Sequence, residues 1–168
     1  MRKVIFLSIF VFMTSQTIPA QSESAKWFDF WVGKWNVSWD EGGGKRGSGT
    51  NTITKILDGA VIQEDFVVTE GLQKGFKGMS HSVYGATSKQ WHQAWVDNQG
   101  GYYNLVGERN EDVRIFKTLP RVSEGKEIVQ RMVFKDIKVD SFVWDWEKSE
   151  DGGKTWKLEW RINYKKAS

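Results

Sequence analysis

Apolar and polar residues alternate along most of the chain from Trp35 onward, and turn-forming residues separate the alternating segments. Trp35, Val37 and Trp39 begin the pattern at a spacing of two, which is typical of a strand with one buried face. No later segment keeps a helical period over ten residues. The pattern predicts ten strands, the first at 35–39 and the others at 48–57, 60–69, 76–84, 90–97, 102–108, 113–118, 127–135, 141–148 and 155–164.

Tryptophans at a spacing of four lead into the first strand. Trp27, Trp31 and Trp35 would share a helical face, but Gly33 interrupts that period. We therefore expect a short helical turn over 27–32 and a glycine hinge before the strand. A hairpin-rich chain of this kind folds as a sandwich or a barrel, and closure into a barrel removes exposed sheet edges. With the N-terminal aromatic residues as a plug, the prediction is all-β: an antiparallel up-and-down β-barrel of about ten strands.

The first twenty residues differ from the rest of the chain. Arg2 and Lys3 precede a ten-residue apolar run, Val4–Met13, and Ala20 offers a small residue before Gln21. This pattern is typical of a secretory signal peptide, and the run is too short to span a bilayer. A retained amphipathic anchor is the alternative reading. We expect export, to the periplasm or the medium, and a single domain over 21–168.

Composition narrows the classes of partner. The formal charge of +3 falls to +1 without Arg2 and Lys3, and the remaining basic residues are dispersed, so a nucleic-acid partner is not indicated. The chain has no cysteine, which excludes a disulfide framework. Ten Trp, ten Phe and four Tyr are the unusual feature, because so much aromatic surface needs a large core or a cavity to line.

Several segments resemble a known family. Gly33-Lys34-Trp35 after a helical turn resembles the G-x-W signature of lipocalins, and FDFWVGKW, KILDGAVIQE, WHQAWVD and EKSEDGGKTW are similar to an exported bacterial lipocalin-like family of unknown function. The resemblance implies a calycin-type barrel and brings no substrate or catalytic residue. In lipocalins a basic side chain covers the signature tryptophan, which implies Arg161, Lys165 or Lys166 against Trp35.

A single Asp-box pattern lies between the last two predicted strands. It consists of Ser149, Asp151, Gly153, Thr155 and Trp156. A propeller would repeat this unit at blade spacing, so one copy indicates a hairpin turn instead. We expect Asp151 to accept backbone N–H groups, Gly153 to supply a positive φ and Trp156 to pack beneath.

Three strand faces place an isolated polar group among apolar ones. Glu64 lies among Ile62, Phe66 and Val68. On the other two faces, Gln93 lies between Trp91 and Trp95, and Gln130 lies between Ile128 and Met132. Inward polar groups must be satisfied by each other, by water or by a ligand, so an internal polar network and a ligand site are both open readings. The candidate ligand-binding residues are Glu64, Trp91, Gln93, Trp95, Gln130 and Trp144.

The two histidines are weak candidates for metal ligands. If Gly85 pairs with Gln90, His81 and His92 share one strand face. A metal site needs a third ligand, and none is signalled, so no metal and no cofactor are predicted.

Three functions remain open. The first is a binding module for a small apolar or amphipathic molecule. The second is an enzyme with Glu64 as general base, acting on a lipid, terpenoid or phenolic substrate, because burial would raise the pKa of this carboxyl. The third is a structural or interaction domain without a ligand.

Export gives the first testable prediction. Mature protein recovered from the exported fraction is expected to begin near Gln21, and an intact mass measurement checks this. A mass that still includes residues 1–20 in that fraction would contradict it.

Overall fold

The computed structural model describes residues 23–168. The predicted signal peptide lies outside these residues. Two short 3-10 helices, Glu23–Lys26 and Asp29–Trp31, precede eleven strands. These are β1 (Gly33–Gly42), β2 (Lys45–Ile56), β3 (Val61–Glu70), β4 (Lys77–Gly85), β5 (Gln90–Asp97), β6 (Tyr102–Asn110), β7 (Val113–Thr118), β8 (Arg121–Ser123), β9 (Lys126–Lys135), β10 (Ser141–Ser149) and β11 (Lys157–Lys166).

Ten of the strands form a closed antiparallel barrel. Each strand from β1 to β6 pairs with the next, β7 pairs with β9, and β10 and β11 lead back to β1. The additional strand, β8, pairs with the start of β9. Pro120 separates β7 from β8, and proline has no N–H for a ladder hydrogen bond. The predicted up-and-down barrel with a short N-terminal helical turn is confirmed.

The turns account for most differences from the predicted strand bounds. A flexible turn is expected over 41–47, but β1 and β2 continue to a two-residue turn at Gly43-Gly44. Both glycines have positive φ, 59° and 76°, which this tight hairpin requires and other residues rarely adopt. The last strand starts at Lys157 rather than at 155, because Asp151 holds the backbone N–H of Thr155 in the preceding loop.

The N-terminal segment closes one end of the barrel as an aromatic plug. Phe28 and Trp31 are buried, and the Phe28 ring stacks on Phe116 with centroids 4.3 Å apart. Two backbone carbonyls fix the segment to the strands. Ser24 O accepts the Trp91 indole N–H at 2.8 Å, and Trp27 O accepts a hydrogen bond from Arg114 at 3.1 Å. This end of the barrel is filled by side chains.

Trp35 connects the plug to the sheet. Its indole N–H donates to Trp31 O at 2.8 Å, and its ring is 1% exposed. Of the three basic residues that the resemblance implied, Lys166 lies over the Trp35 ring, with Nζ 5.4 Å from the centroid. A cation at this distance contributes about 0.5–2 kcal/mol.

Arg161 lies on the outer wall, away from Trp35. Its guanidinium donates to both oxygens of Asp145 at 2.7 and 2.8 Å, and Lys135 donates to the same carboxylate at 2.5 Å. Burial alone would raise the pKa of Asp145, but the hydrogen bonds from Arg161 and Lys135 outweigh it and lower that pKa. Of the three implied residues, Arg161 is therefore not the one that covers Trp35. Its ion pair with Asp145, which Lys135 shares, joins β9, β10 and β11.

Between Glu23 and Ser168, no helix has the length and hydrophobicity needed to cross a membrane.

The plug gives a prediction about stability. Trp35→Ala removes a buried indole and its hydrogen bond, so we expect the free energy of unfolding to fall by about 3–5 kcal/mol. Urea denaturation measures this value. Trp156→Ala is the matched control, because Trp156 lies on the outer wall beside Arg131 and its loss is expected to cost less. An unchanged midpoint for Trp35→Ala would contradict the core role.

Candidate functional site

The half of the barrel opposite the plug encloses a cavity of about 160 Å³. It lies within the ring of strands, toward the end that carries the β3–β4 and β5–β6 loops. Eight of its twelve lining residues are aromatic, two are acidic, and the other two are aliphatic. They are Glu64, Phe66, Phe76, Trp95, Asp97, Tyr103, Met132, Trp144, Trp146, Trp160, Ile162 and Tyr164.

Trp160 is at the centre of the aromatic wall. Its ring meets the rings of Trp39, Phe66 and Trp144 edge to face, with centroids 5.2, 6.1 and 5.9 Å apart. Trp144 and Trp146 lie parallel, with centroids 6.3 Å apart. Edge-to-face contacts hold each ring by its neighbours and fix the shape of the wall.

Two tryptophans near the open end, Trp39 and Trp95, are held in the same way as each other. A carboxylate two residues further along accepts each indole N–H: Glu41 accepts from Trp39 at 3.1 Å, and Asp97 accepts from Trp95 at 3.2 Å. Each indole also lies over a glycine of the neighbouring strand. A Cβ at Gly47 would overlap the Trp39 ring.

At Gly78, the Trp95 ring occupies the place where a Cβ would stand. The carboxylates also order the loops, since Glu41 accepts the Leu72 backbone N–H at 2.9 Å. Asp97 accepts the Gln99 and Gly101 N–H groups at 2.9 and 2.8 Å.

A belt of polar side chains crosses the middle of the barrel, at the inner end of the cavity. Glu64 accepts one hydrogen bond on each carboxylate oxygen, from Asn51 Nδ2 and from Ser80 Oγ, both at 2.7 Å. Asn51 Nδ2 also donates to the Tyr164 hydroxyl at 2.9 Å. Gln93 Nε2 donates to Ser80 Oγ at 3.2 Å. The belt therefore links β2, β3, β4, β5 and β11.

Burial raises the pKa of Glu64 from its ordinary 4.5 to about 7. Hydrogen bonds from Ser80 and Asn51 lower this pKa, and the neighbouring charge of Asp65 raises it, but desolvation is the largest effect. Near neutral pH, both the carboxylate and the carboxylic acid are therefore populated at the inner end of the cavity.

Tyr164 presents its hydroxyl to the same cavity. Burial first, and then the charge of Glu64, raise its pKa well above the ordinary value, so it stays protonated. Its oxygen accepts from Asn51, while its own proton has no acceptor in the described part of the chain. A hydroxyl donor and a carboxylate thus face the cavity together.

Two acceptors of the belt have no partner among residues 23–168. They are Asn51 Oδ1 and Gln93 Oε1, both in side chains that are at most 1% exposed. A buried amide oxygen without a donor is costly.

The cavity contains half of the candidate ligand-binding residues. Glu64, Trp95 and Trp144 line it. Trp91 does not, because its ring packs against Phe28 beneath the plug.

Gln93 and Gln130 are also outside the cavity lining. The amide of Gln93 lies within the belt, bonded to Ser80 and Ser82. Gln130 lines a surface groove beside Tyr102 and Leu119. An internal polar network and a cavity therefore coexist, with Glu64 in both.

The other candidates have positions outside the barrel lumen. Gly85 pairs with Gln90, as expected, and this register places His81 opposite Ala94 and His92 opposite Val83 on the outer face. Across residues 23–168, no three His, Cys, Asp or Glu side chains lie close enough together to hold a metal ion.

The Asp-box segment is a loop between β10 and β11 that its own side chains stabilise, as predicted from the sequence. Asp151 accepts the backbone N–H groups of Lys154 and Thr155 at 3.0 and 2.9 Å, and Ser149 accepts that of Gly153 at 2.8 Å. Gly153 has a φ of 94°. Trp156 packs under the Arg131 guanidinium, 3.7 Å from the ring centroid.

Sequence reasoning missed Asn51 and Ser80 of the belt and most of the cavity lining, including Asp97, Trp160 and Tyr164. Strand alternation does place Asn51 and Ser80 inward, but a polar residue in a Thr-rich or Ser-rich strand gives no sign of which face is buried. The contact of Tyr164 with Asn51 joins residues 113 positions apart, which no local pattern reveals.

A scan against protein-family models finds no match to this chain, and a search of curated proteins finds none either.

Glu64 gives a prediction about pH. The folded protein keeps a proton that the unfolded chain releases above pH 4.5, so this stabilising contribution is complete below pH 4.5 and is lost as the pH rises through about 7. We expect the free energy of unfolding to lose about 3 kcal/mol over this range, at about 1.4 kcal/mol per pH unit.

Urea unfolding of the wild type and of Glu64→Gln between pH 5 and 8 measures this loss. The loss is expected in the wild type and absent from the variant. Asp97 and Asp145 have lowered pKa values, so their contributions change below this range and in the opposite direction. Parallel profiles for the two proteins would contradict the prediction.

Proposed function

We propose that this barrel is a binding protein for a small apolar or amphipathic molecule. The observation that carries the proposal is the cavity of about 160 Å³, with eight aromatic lining residues and with Glu64 and Tyr164 at its inner end. Binding sites of this kind combine an apolar wall with a few convergent polar groups. The filled lower half provides a rigid base, and the upper half leaves room for a ligand.

The size of the cavity favours a ligand of about one ring. An apolar cavity of about 150 Å³ in another protein stays dry and binds benzene, which sets the scale. Tyr164 provides a hydroxyl donor, and Glu64 provides an acceptor or, when protonated, a second donor.

The proposal also includes a relationship to lipocalins and export of the protein. The G-x-W segment, the up-and-down barrel and Lys166 over Trp35 support the relationship to lipocalins. The residue pattern of the first twenty positions supports export. A periplasmic or secreted carrier of small molecules is the role that fits these features together.

An enzyme is the second candidate, and the pKa of Glu64 favours it. A carboxylate with a pKa of about 7 is suited to accept a proton at neutral pH. The Tyr164 hydroxyl would stabilise the oxyanion that forms when a proton leaves carbon beside a carbonyl group. Exchange of the α-hydrogens of phenylacetone in D2O, followed by NMR, tests this role. Catalysed exchange that disappears in Glu64→Gln, while phenylacetone still binds, would establish it.

The binding proposal predicts that p-cresol, a neutral one-ring molecule, binds in the cavity and quenches tryptophan emission. Trp95→Ala removes part of the wall, and we expect about a tenfold loss of affinity, equivalent to about 1.4 kcal/mol. Glu64→Gln is expected to leave binding of this neutral probe nearly intact. Isothermal titration calorimetry measures all three proteins.

Trp156→Ala is the matched control, since Trp156 lies outside the cavity. Its affinity for p-cresol is expected to stay within about twofold of the wild type, well below the tenfold effect of a 1.4 kcal/mol change. No saturable binding of p-cresol at millimolar concentration, or equal losses in Trp95→Ala and Trp156→Ala, would refute the proposal.

A further inference from the structure

The charge of the cavity lining has one sign. Its two ionisable carboxyl groups belong to Glu64 and Asp97, and none of its twelve residues is Lys, Arg or His. The remaining wall is mostly aromatic, and the face of an aromatic ring carries the negative part of its quadrupole. The carboxyl groups and the ring faces of the wall therefore favour positive charge.

Asp97 places a fixed negative charge at the open end. Burial would raise its pKa, but hydrogen bonds from Gly101, Gln99 and the Trp95 indole lower it below the ordinary value. Asp97 is therefore ionised throughout the neutral range. A cation entering the cavity would pass this carboxylate, whereas an anion would be repelled by it.

Glu64 is a buried carboxyl group without a cationic partner in the described residues. The side chains that face it are Asn51 from β2, Ser80 from β4 and Tyr164 from β11, and Asp65 is its charged neighbour on β3. Lys and Arg pair with other carboxylates on the outer wall, as at Asp145. The inner end of the cavity therefore has an uncompensated acidic group.

We propose that the cavity binds a small organic ammonium ion of about one ring in size, with its positive nitrogen directed toward Glu64. This inference rests on the proposed binding function and names its ligand class. The ammonium supplies the missing countercharge, and its N–H groups donate to the free lone pairs of the carboxylate. The aromatic wall covers the apolar part of the ligand and adds cation–π attraction.

Binding of such a cation must be linked to the protonation of Glu64. The positive charge favours the carboxylate over the acid, so it lowers the pKa of Glu64 and releases a proton when the ligand binds near that pKa. A neutral ligand causes no such release, because it gives no charge-based preference for the carboxylate.

The experiment compares benzylamine, benzyl alcohol and benzoate, which share one ring and differ in charge. Calorimetry of the wild type at pH 8 is expected to show benzylamine binding at least tenfold more tightly than benzyl alcohol, with no binding of benzoate. At pH 5.5 benzylamine stays protonated while Glu64 is mostly neutral, so its affinity is expected to fall at least fivefold. Benzyl alcohol is expected to change less than twofold.

Titrations at pH 6.5 in buffers of different ionisation enthalpy measure proton release directly. Release of a fraction of a proton is expected with benzylamine and not with benzyl alcohol. This readout uses the unmodified protein, so it does not depend on whether a variant folds.

Two variants complete the test. Glu64→Gln is expected to remove both the preference for benzylamine and the proton release. Glu108→Gln makes the same chemical change at a half-exposed residue that pairs with Lys117, and it is expected to leave both unchanged.

The outcomes separate the two proposals. Equal or tighter binding of benzyl alcohol or benzoate, or a benzylamine preference that survives Glu64→Gln, would overturn the ammonium assignment while the binding function stands. Failure of all three compounds and of p-cresol to bind would overturn both.

Discussion

Side chains can just fill the interior of an eight-stranded barrel, and a ten-stranded barrel encloses more space. The need to occupy this additional space governs the structure. Large rings do most of the filling. Phe28 and Trp31 of the N-terminal plug occupy the lower half together with Trp35, and their close contacts give a well-packed base. In the upper half, the rings line the walls and a cavity remains.

The same constraint explains the glycines that face the lumen. Gly47 and Gly78 lie directly beneath the rings of Trp39 and Trp95, where a Cβ would overlap the indole. Small residues on one strand thus make room for large ones on the next, and Glu41 and Asp97 fix the two rings by accepting their N–H groups. Both the position and the orientation of these two rings are therefore determined.

The polar belt separates the packed half from the open half. Glu64 is held there by two neutral donors, and its burial raises its pKa to about 7. Hydrogen bonds alone are insufficient to keep it ionised, in contrast to Asp145 on the outer wall, whose Arg161 and Lys135 partners lower its pKa. An acidic group without a cation, beside aromatic rings, is the feature that a ligand would complement.

The sequence by itself determined the all-β class, the ten barrel strands and the inward faces of most of them, because a period of two and the turn residues are local signals. It also identified Trp35 as a core residue and Glu64 as a carboxyl group on an otherwise apolar strand face. Trp95 was a candidate ligand-binding residue, but the sequence left open which face of the strand 90–97 points into the barrel. The strand ends differ from the predicted bounds, because turn geometry at Gly43-Gly44 and in the Asp151 loop sets them.

Only the tertiary structure decided which inward residues meet. Alternation gives the face of a residue but not its height in the barrel, and the shear of the strands sets that height. Trp91 and Trp95 share a face, yet one lies under the plug and the other lines the cavity. Likewise, Tyr164 reaches Glu64 through Asn51 because barrel closure brings β11 beside β1, a long-range contact that no local pattern encodes.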